Sequence, residues 1–574
     1  MNFLPFRPGP RTIAFSAVAA ILLAVALPAV ILNVRAPREA PAPPTPQPAL
    51  PPREETSSLP PAPKVFRFFQ ESPQNLDPGL ASDAYSCTVI AQIYSPLVGL
   101  TSDLEPTPQV ADSWTISRDG LQYIFHIRDG VRFHNGREVT AEDFAYSITR
   151  LFTEPYLSQG LAAGYLDAID GVHEFISGKA DSIRGIQVLD DRHIQIMLSH
   201  PYRSLLSALA LDQTSAVPRE EVEKNGKDAL EHVPVGCGPF RYVRRNATEG
   251  LVLASNPEYF MGRASIDTLI FYSPGGDVTS QGADALLDGR ATLSALPVNR
   301  VEEFRARPGI TMLRWQDLTL AFVGMNSTLP PLDDARVREA VAMSIDRQAM
   351  LDLQPEGKTL APGILPPGLP GYTPVSKTYP HDLAKARELL ADAGYGAEHP
   401  LPTLTLYKSV TTNAVTLSID SLMVRSMAEA GITVQTKYVS WAELDGLITS
   451  RRAPMFSLSW VADIPDPDTF LRALFYSTSS TNYFKYSNAT VDSLLDLARG
   501  TDDPTLRQGA YESAEETILR EAPFVPLHHP ASFIGLRDDV VGLEMNPLGI
   551  STMAMEKLRF AEPTSGEEHR TAGR

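Results

Sequence analysis

The chain has 574 residues, too many for one compact core, and 43% of them are hydrophobic, enough to fold into two or three lobes. Its formal net charge of −18 argues against nucleic-acid binding, which needs basic patches to neutralise phosphates. With 2 cysteines, no CxxC pair and no Cys/His cluster at zinc spacing, neither a metal nor a cofactor is expected.

In chain order, Arg7 and Arg11 precede an uncharged stretch from Thr12 to Leu32. Its 21 residues are enough, as a helix, to cross a bilayer. The exit Pro28-Ala29-Val30-Ile31-Leu32-Asn33 is a poor cleavage site, so residues 1–35 read as a membrane anchor or a signal peptide. Both readings export the rest of the chain. Residues 36–63 hold 11 prolines and read as an extended, semi-rigid linker. The two cysteines, Cys87 and Cys237, form one disulfide on the first reading and two buried free thiols on the second.

From residue 64 to about 562, strands and helices interleave without an internal repeat. Alternation at Leu121, Tyr123, Phe125 and Ile127 predicts a strand, as do Ile194, Ile196 and Leu198, and Phe456, Leu458 and Trp460. Thr140 with Asp143 forms a capping-box pattern before Phe144, Ile148, Leu151 and Phe152. Further helices are predicted near 334–346, over 382–393 before Gly394, over 413–430 before Gly431, and from the Asp503-Pro504 cap onward. The tail 563–574 reads as disordered. This order favours α/β lobes. The loop Val461-Ala462-Asp463-Ile464-Pro465-Asp466-Pro467-Asp468 carries three carboxylates beyond a predicted strand, where ligands of open α/β sheets lie. It is the best candidate binding loop; the plain alternative is a solvated acidic turn. No HExxH, GxSxG or Gly-rich phosphate loop points to an enzyme.

Several stretches resemble the family 5 extracellular solute-binding proteins, which include oligopeptide- and dipeptide-binding proteins of ABC importers. The most specific runs from Ala111-Asp112-Ser113-Trp114 through Gly130-Val131-Arg132-Phe133-His134-Asn135-Gly136 to Val139-Thr140-Ala141-Glu142-Asp143-Phe144. Pro234-Val235-Gly236-Cys237-Gly238-Pro239-Phe240, Asp334-Ala335-Arg336-Val337-Arg338-Glu339-Ala340, Trp460-Val461-Ala462-Asp463 and Ala522-Pro523-Phe524-Val525-Pro526-Leu527 follow in the family's order. The resemblance implies a two-lobed periplasmic-binding-protein fold over 64–562. One lobe is assembled from 64–107, 229–322 and 524–562, with 108–228 attached to it. The other lobe is 323–523, and two crossover strands form the hinge.

It also implies that Asp463 pairs with the α-amino group of a peptide, an ammonium too costly to bury unpaired. Trp460 and Trp441 are expected to line the cavity beside Val461 and Ala462, with core packing as the alternative for each tryptophan. His528 is expected to face the guest. Ser457 stands where oligopeptide binders carry an arginine that helps with the ligand's carboxylate end. A nickel complex, an oligosaccharide or an opine is therefore a second reading of the guest. The implied partners are permease subunits of an ABC transporter, with the chain a monomer in the periplasm and the N-terminal segment in the inner membrane. A tethered sensor or chaperone on the same fold is the remaining alternative.

Overall fold

The computed structural model describes residues 63–561, except 161, 227–228 and 375–378. The uncharged stretch Thr12–Leu32, all but the last residue of the linker, and the tail lie outside the described residues. Among those described, no helix is long and apolar enough to cross a membrane.

The predicted elements form for the local reasons given by their residues. Tyr123, Phe125 and Ile127 are the buried face of the strand Gln122–Ile127. The Thr140 N–H donates to the Asp143 carboxylate at 2.9 Å, closing the capping box of helix Ala141–Arg150. Asp503 accepts from the Thr505 and Leu506 amides at the head of helix Pro504–Glu521. Helix Ala414–Glu429 stops where Gly431 takes φ of 90°, a left-handed turn that costs glycine nothing.

The longest sheet has twelve strands. Its spine is Phe524–Arg537, a 14-residue strand long enough to serve two lobes. The first half pairs with Thr319–Met325, which continues through Met455–Val461 and Leu404–Ser409 to Val434–Val439. The second half pairs with Ile310–Gln316 and with Leu293–Ala295, which leads through Val65–Phe69 to Thr268–Tyr272. The chain thus crosses between lobes twice, along 310–325 and along 524–537. A separate four-stranded sheet has the order Ala111–Ile116, Gln122–Ile127, His193–Met197, Ile186–Asp190.

Apolar burial follows this division. One cluster gathers Phe322, Phe456, Phe470, Phe475, Phe484 and Phe524. A second packs Phe125, Phe133 and Phe144 around the four-stranded sheet. A third, around Phe66, Phe240 and Phe271, and a fourth, around Phe304 and Phe533, cover the two sides of the remaining strands. In the turn at 236–238, a Cβ on Gly236 would stand 2.1 Å from the Ile93 carbonyl oxygen, so only glycine lets this turn close on helix Ala84–Ile93.

The expected disulfide is corrected here, because both cysteines are free thiols. Cys237 is buried in the second cluster with its sulfur 4.0 Å from the Ser95 carbonyl. Cys87 packs against the third cluster, where the Gln213 side-chain amide donates to it at 3.4 Å. Each sulfur is thus committed to a different apolar core.

Candidate functional site

The site grows from the end of strand Met455–Val461. One edge of this strand pairs with Thr319–Met325 along its whole length. The other edge meets Leu404–Ser409 only at Met455 and Phe456. From Ser457 to Val461 that edge has no strand partner among the described residues, and Val461 is 53% exposed. An unpaired edge presents backbone donors and acceptors to an extended guest.

Beyond the strand, the three carboxylates of the loop have three different fates. Asp466 is consumed by structure: it caps its own turn through the Asp468 amide and takes hydrogen bonds from Arg507 at 2.7 Å and from Ser204. Asp468 accepts from the Tyr511 hydroxyl at 2.9 Å and lies 3.6 Å from the Arg499 guanidinium. Burial and the neighbouring Asp466 nevertheless push the Asp468 carboxyl up to about 6. Among the described residues, Asp463 forms no ion pair. It accepts from the Tyr165 hydroxyl at 2.5 Å, and that hydroxyl also meets Thr469 Oγ1 at 3.2 Å. Burial pushes the Asp463 carboxyl up to about 6, and the Tyr165 hydrogen bond offsets only part of the rise.

Tyr165 packs with the second cluster and Trp460 with the first, so this hydrogen bond spans the cleft between lobes. Arg499 spans it as well, pairing with Asp167 at 2.9 Å and lying 4.3 Å from the centre of the Tyr202 ring. Two cavities meet at Asp463. One, of about 250 Å³, is walled by Val461, Ala462, Cys87, Leu211 and Asp212. The other, of about 630 Å³, is walled by Trp460, Tyr165, Arg472, Tyr476 and Arg499. Trp460 is fixed in this wall by its indole N–H, which donates to the Thr469 carbonyl at 2.6 Å.

Asp463, Trp460, Val461 and Ala462 are therefore brought together. Trp441 and His528 are not. Trp441 begins the helix Trp441–Thr449, is 58% exposed and borders neither cavity at Asp463. Its spacing serves the start of a helix, whose buried side is carried by Leu444 and Ile448. His528 points into a small crevice with Arg347, Met350 and Lys358. Burial and the nearby Lys358 push its imidazole down to about 3, so it stays neutral there. The adjacent His529 faces the other way and bonds the Thr319 carbonyl through Nδ1 at 2.8 Å. The residues absent from the sequence reading are Tyr165, Thr469, Arg499 and Asp212. Each reaches the site through long-range folding or a loop, with no periodic signal of its own.

A carboxylate near 6 pairs with a cation only when ionised. Affinity for a cationic guest is therefore expected to be constant above about pH 7 and to fall about tenfold per unit below about pH 6, a slope that calorimetry at a series of pH values reads directly.

The family model of bacterial extracellular solute-binding proteins, family 5 Middle, matches residues 105–482. Among curated proteins, a probable di/tripeptide-binding protein 5 of Pseudomonas aeruginosa is 29% identical over 462 residues, 77% of this chain and 85% of the relative. Heme-binding protein A of Haemophilus influenzae is 27% identical over 501 residues, 83% of this chain and 89% of the relative. Among solved structures, the periplasmic binding protein DppA of Helicobacter pylori in complex with the peptide STSA superposes with a TM-score of 0.73. It is 26% identical, over 87% of this chain and 98% of that one.

Proposed function

The chain belongs to the family 5 bacterial extracellular solute-binding proteins, and from that membership and the geometry of the cleft we propose that it binds short peptides with a free amino terminus and delivers them to an ABC importer. The observation that carries this reading is Asp463, a carboxylate between two cavities that forms no ion pair among the described residues, the arginines of the larger cavity, Arg472 and Arg499, being paired with Asp496 and Asp167. A peptide's ammonium supplies the missing charge at one fixed point. The unpaired edge from Ser457 to Val461 takes the peptide's main chain, and the cavities take its side chains without reading them closely. The names of these two relatives point to short peptides and to haem; a carboxylate without an ion-pair partner favours the guest that brings an ammonium.

In this reading Asp463 is a counter-ion and the chain performs no turnover. It works as a monomer in the periplasm, held to the inner membrane through its N-terminal segment or released from it, and its macromolecular partner is the permease. The test is calorimetry on the full-length protein with a dipeptide and its N-acetylated form. The free amine is expected to bind at least about 30-fold more tightly, since an unpaired buried charge costs 2 kcal/mol or more. Equal affinities would overturn the assignment.

A further inference from the structure

The smaller cavity holds a second carboxylate with nothing to neutralise it. Asp212 lies in the turn after Leu211, on the wall facing Asp463, and its side chain makes no hydrogen bond among the described residues. It is half-buried in the cavity wall, and desolvation there raises its carboxyl to about 7. The third acid of this cavity, Asp83, is already used: it accepts from the Tyr85 and Ser86 amides and from the Ser86 hydroxyl at the head of helix Ala84–Ile93. No lysine, arginine or histidine lines the cavity. Asp83, Asp212 and Asp463 line this one cavity together with Cys87, whose thiol is pushed up by burial and by the three carboxylates. Asp212 also borders a neighbouring cavity that contains Lys557, but that ammonium is held by Glu544 at 2.7 Å.

Two ionisable acids facing one cavity of about 250 Å³ fit a guest with two positive charges, because a single ammonium leaves one of them uncompensated. We propose that Asp212 is the specificity residue for the guest's first side chain, and that the chain selects peptides whose amino-terminal residue is basic. The inference rests on the amino terminus lying at Asp463: the side chain nearest that terminus is the one that enters the small cavity, which has room for one long side chain. Asp212 then holds its distal cation.

The test compares lysyl-alanine with norleucyl-alanine, matched in chain but lacking the second charge, by calorimetry on the full-length protein at pH 8. The wild type is expected to prefer the lysyl peptide by at least about tenfold. In Asp212→Asn the ratio is expected to fall to about one, and in Asp212→Glu, which keeps the charge, to stay well above one. Equal binding of both peptides by the wild type, or a preference that survives in Asp212→Asn, would overturn the proposal while leaving peptide binding intact. Binding of neither peptide would overturn it together with the reading it rests on.

Discussion

Asp463→Asn is expected to weaken binding of a free-amine dipeptide by about 30- to 1000-fold, and to change binding of the N-acetylated dipeptide by less than about threefold. The amide has the shape of the carboxylate and keeps an oxygen to accept from the Tyr165 hydroxyl, so the contact across the cleft survives. What disappears is the charge. At about 4 Å and the effective dielectric of a protein site, an ion pair is worth about 4 kcal/mol before desolvation is counted. The acetylated peptide has no ammonium to lose, so its affinity serves as the internal control. Equal losses for both peptides in calorimetry would show that the substitution acts through shape or folding.

The second large effect concerns the wall of the cleft. Arg150, at the end of helix Ala141–Arg150, donates to both oxygens of Asp77 at 3.0 and 2.6 Å. Both residues are buried. Asp77 also accepts from the Gly79 amide at 2.9 Å and the Tyr156 hydroxyl at 3.2 Å, so one carboxylate fastens the turn at 77–80 to the segment whose Phe152 and Leu157 line the larger cavity. Arg150→Met is expected to cost about 3–5 kcal/mol in denaturant unfolding, because it strands a buried negative charge. Adding Asp77→Asn is expected to restore most of that loss, since the amide still caps the Gly79 turn without a charge to bury. A double variant as unstable as the single one would mean that the packing around Arg150, and not its charge, holds the wall.

The sequence made the architecture legible where physics is local. Alternation marked Tyr123, Phe125 and Ile127, and caps marked Thr140 and Asp503, because these signals depend on residues within one or two turns. The loop after Trp460 was legible too, since acids beyond a strand end are conspicuous. Its internal division of labour was not. Whether Asp463, Asp466 or Asp468 is free depends on Arg499, Arg507 and Tyr511, which come from helices later in the chain. Tyr165, which holds Asp463, lies 298 positions away. Trp441 is the opposite case: the resemblance implies a cavity wall, while the structure uses the position to start a helix. The disulfide expected between Cys87 and Cys237 failed for the same reason, because a count of cysteines carries no information on which core each joins.

The claim that the guest's cation meets an ionised Asp463 is tested most directly by counting protons. With the Asp463 carboxyl near 6, binding a dipeptide at pH 6 should expel about half a proton, measured by calorimetry in buffers of differing ionisation enthalpy. The release should vanish in Asp463→Asn, and in the wild type it should give way near pH 8 to proton uptake by the peptide's own amine. Binding at pH 6 with no proton released, or with the same release from the Asp463→Asn protein, would contradict the account.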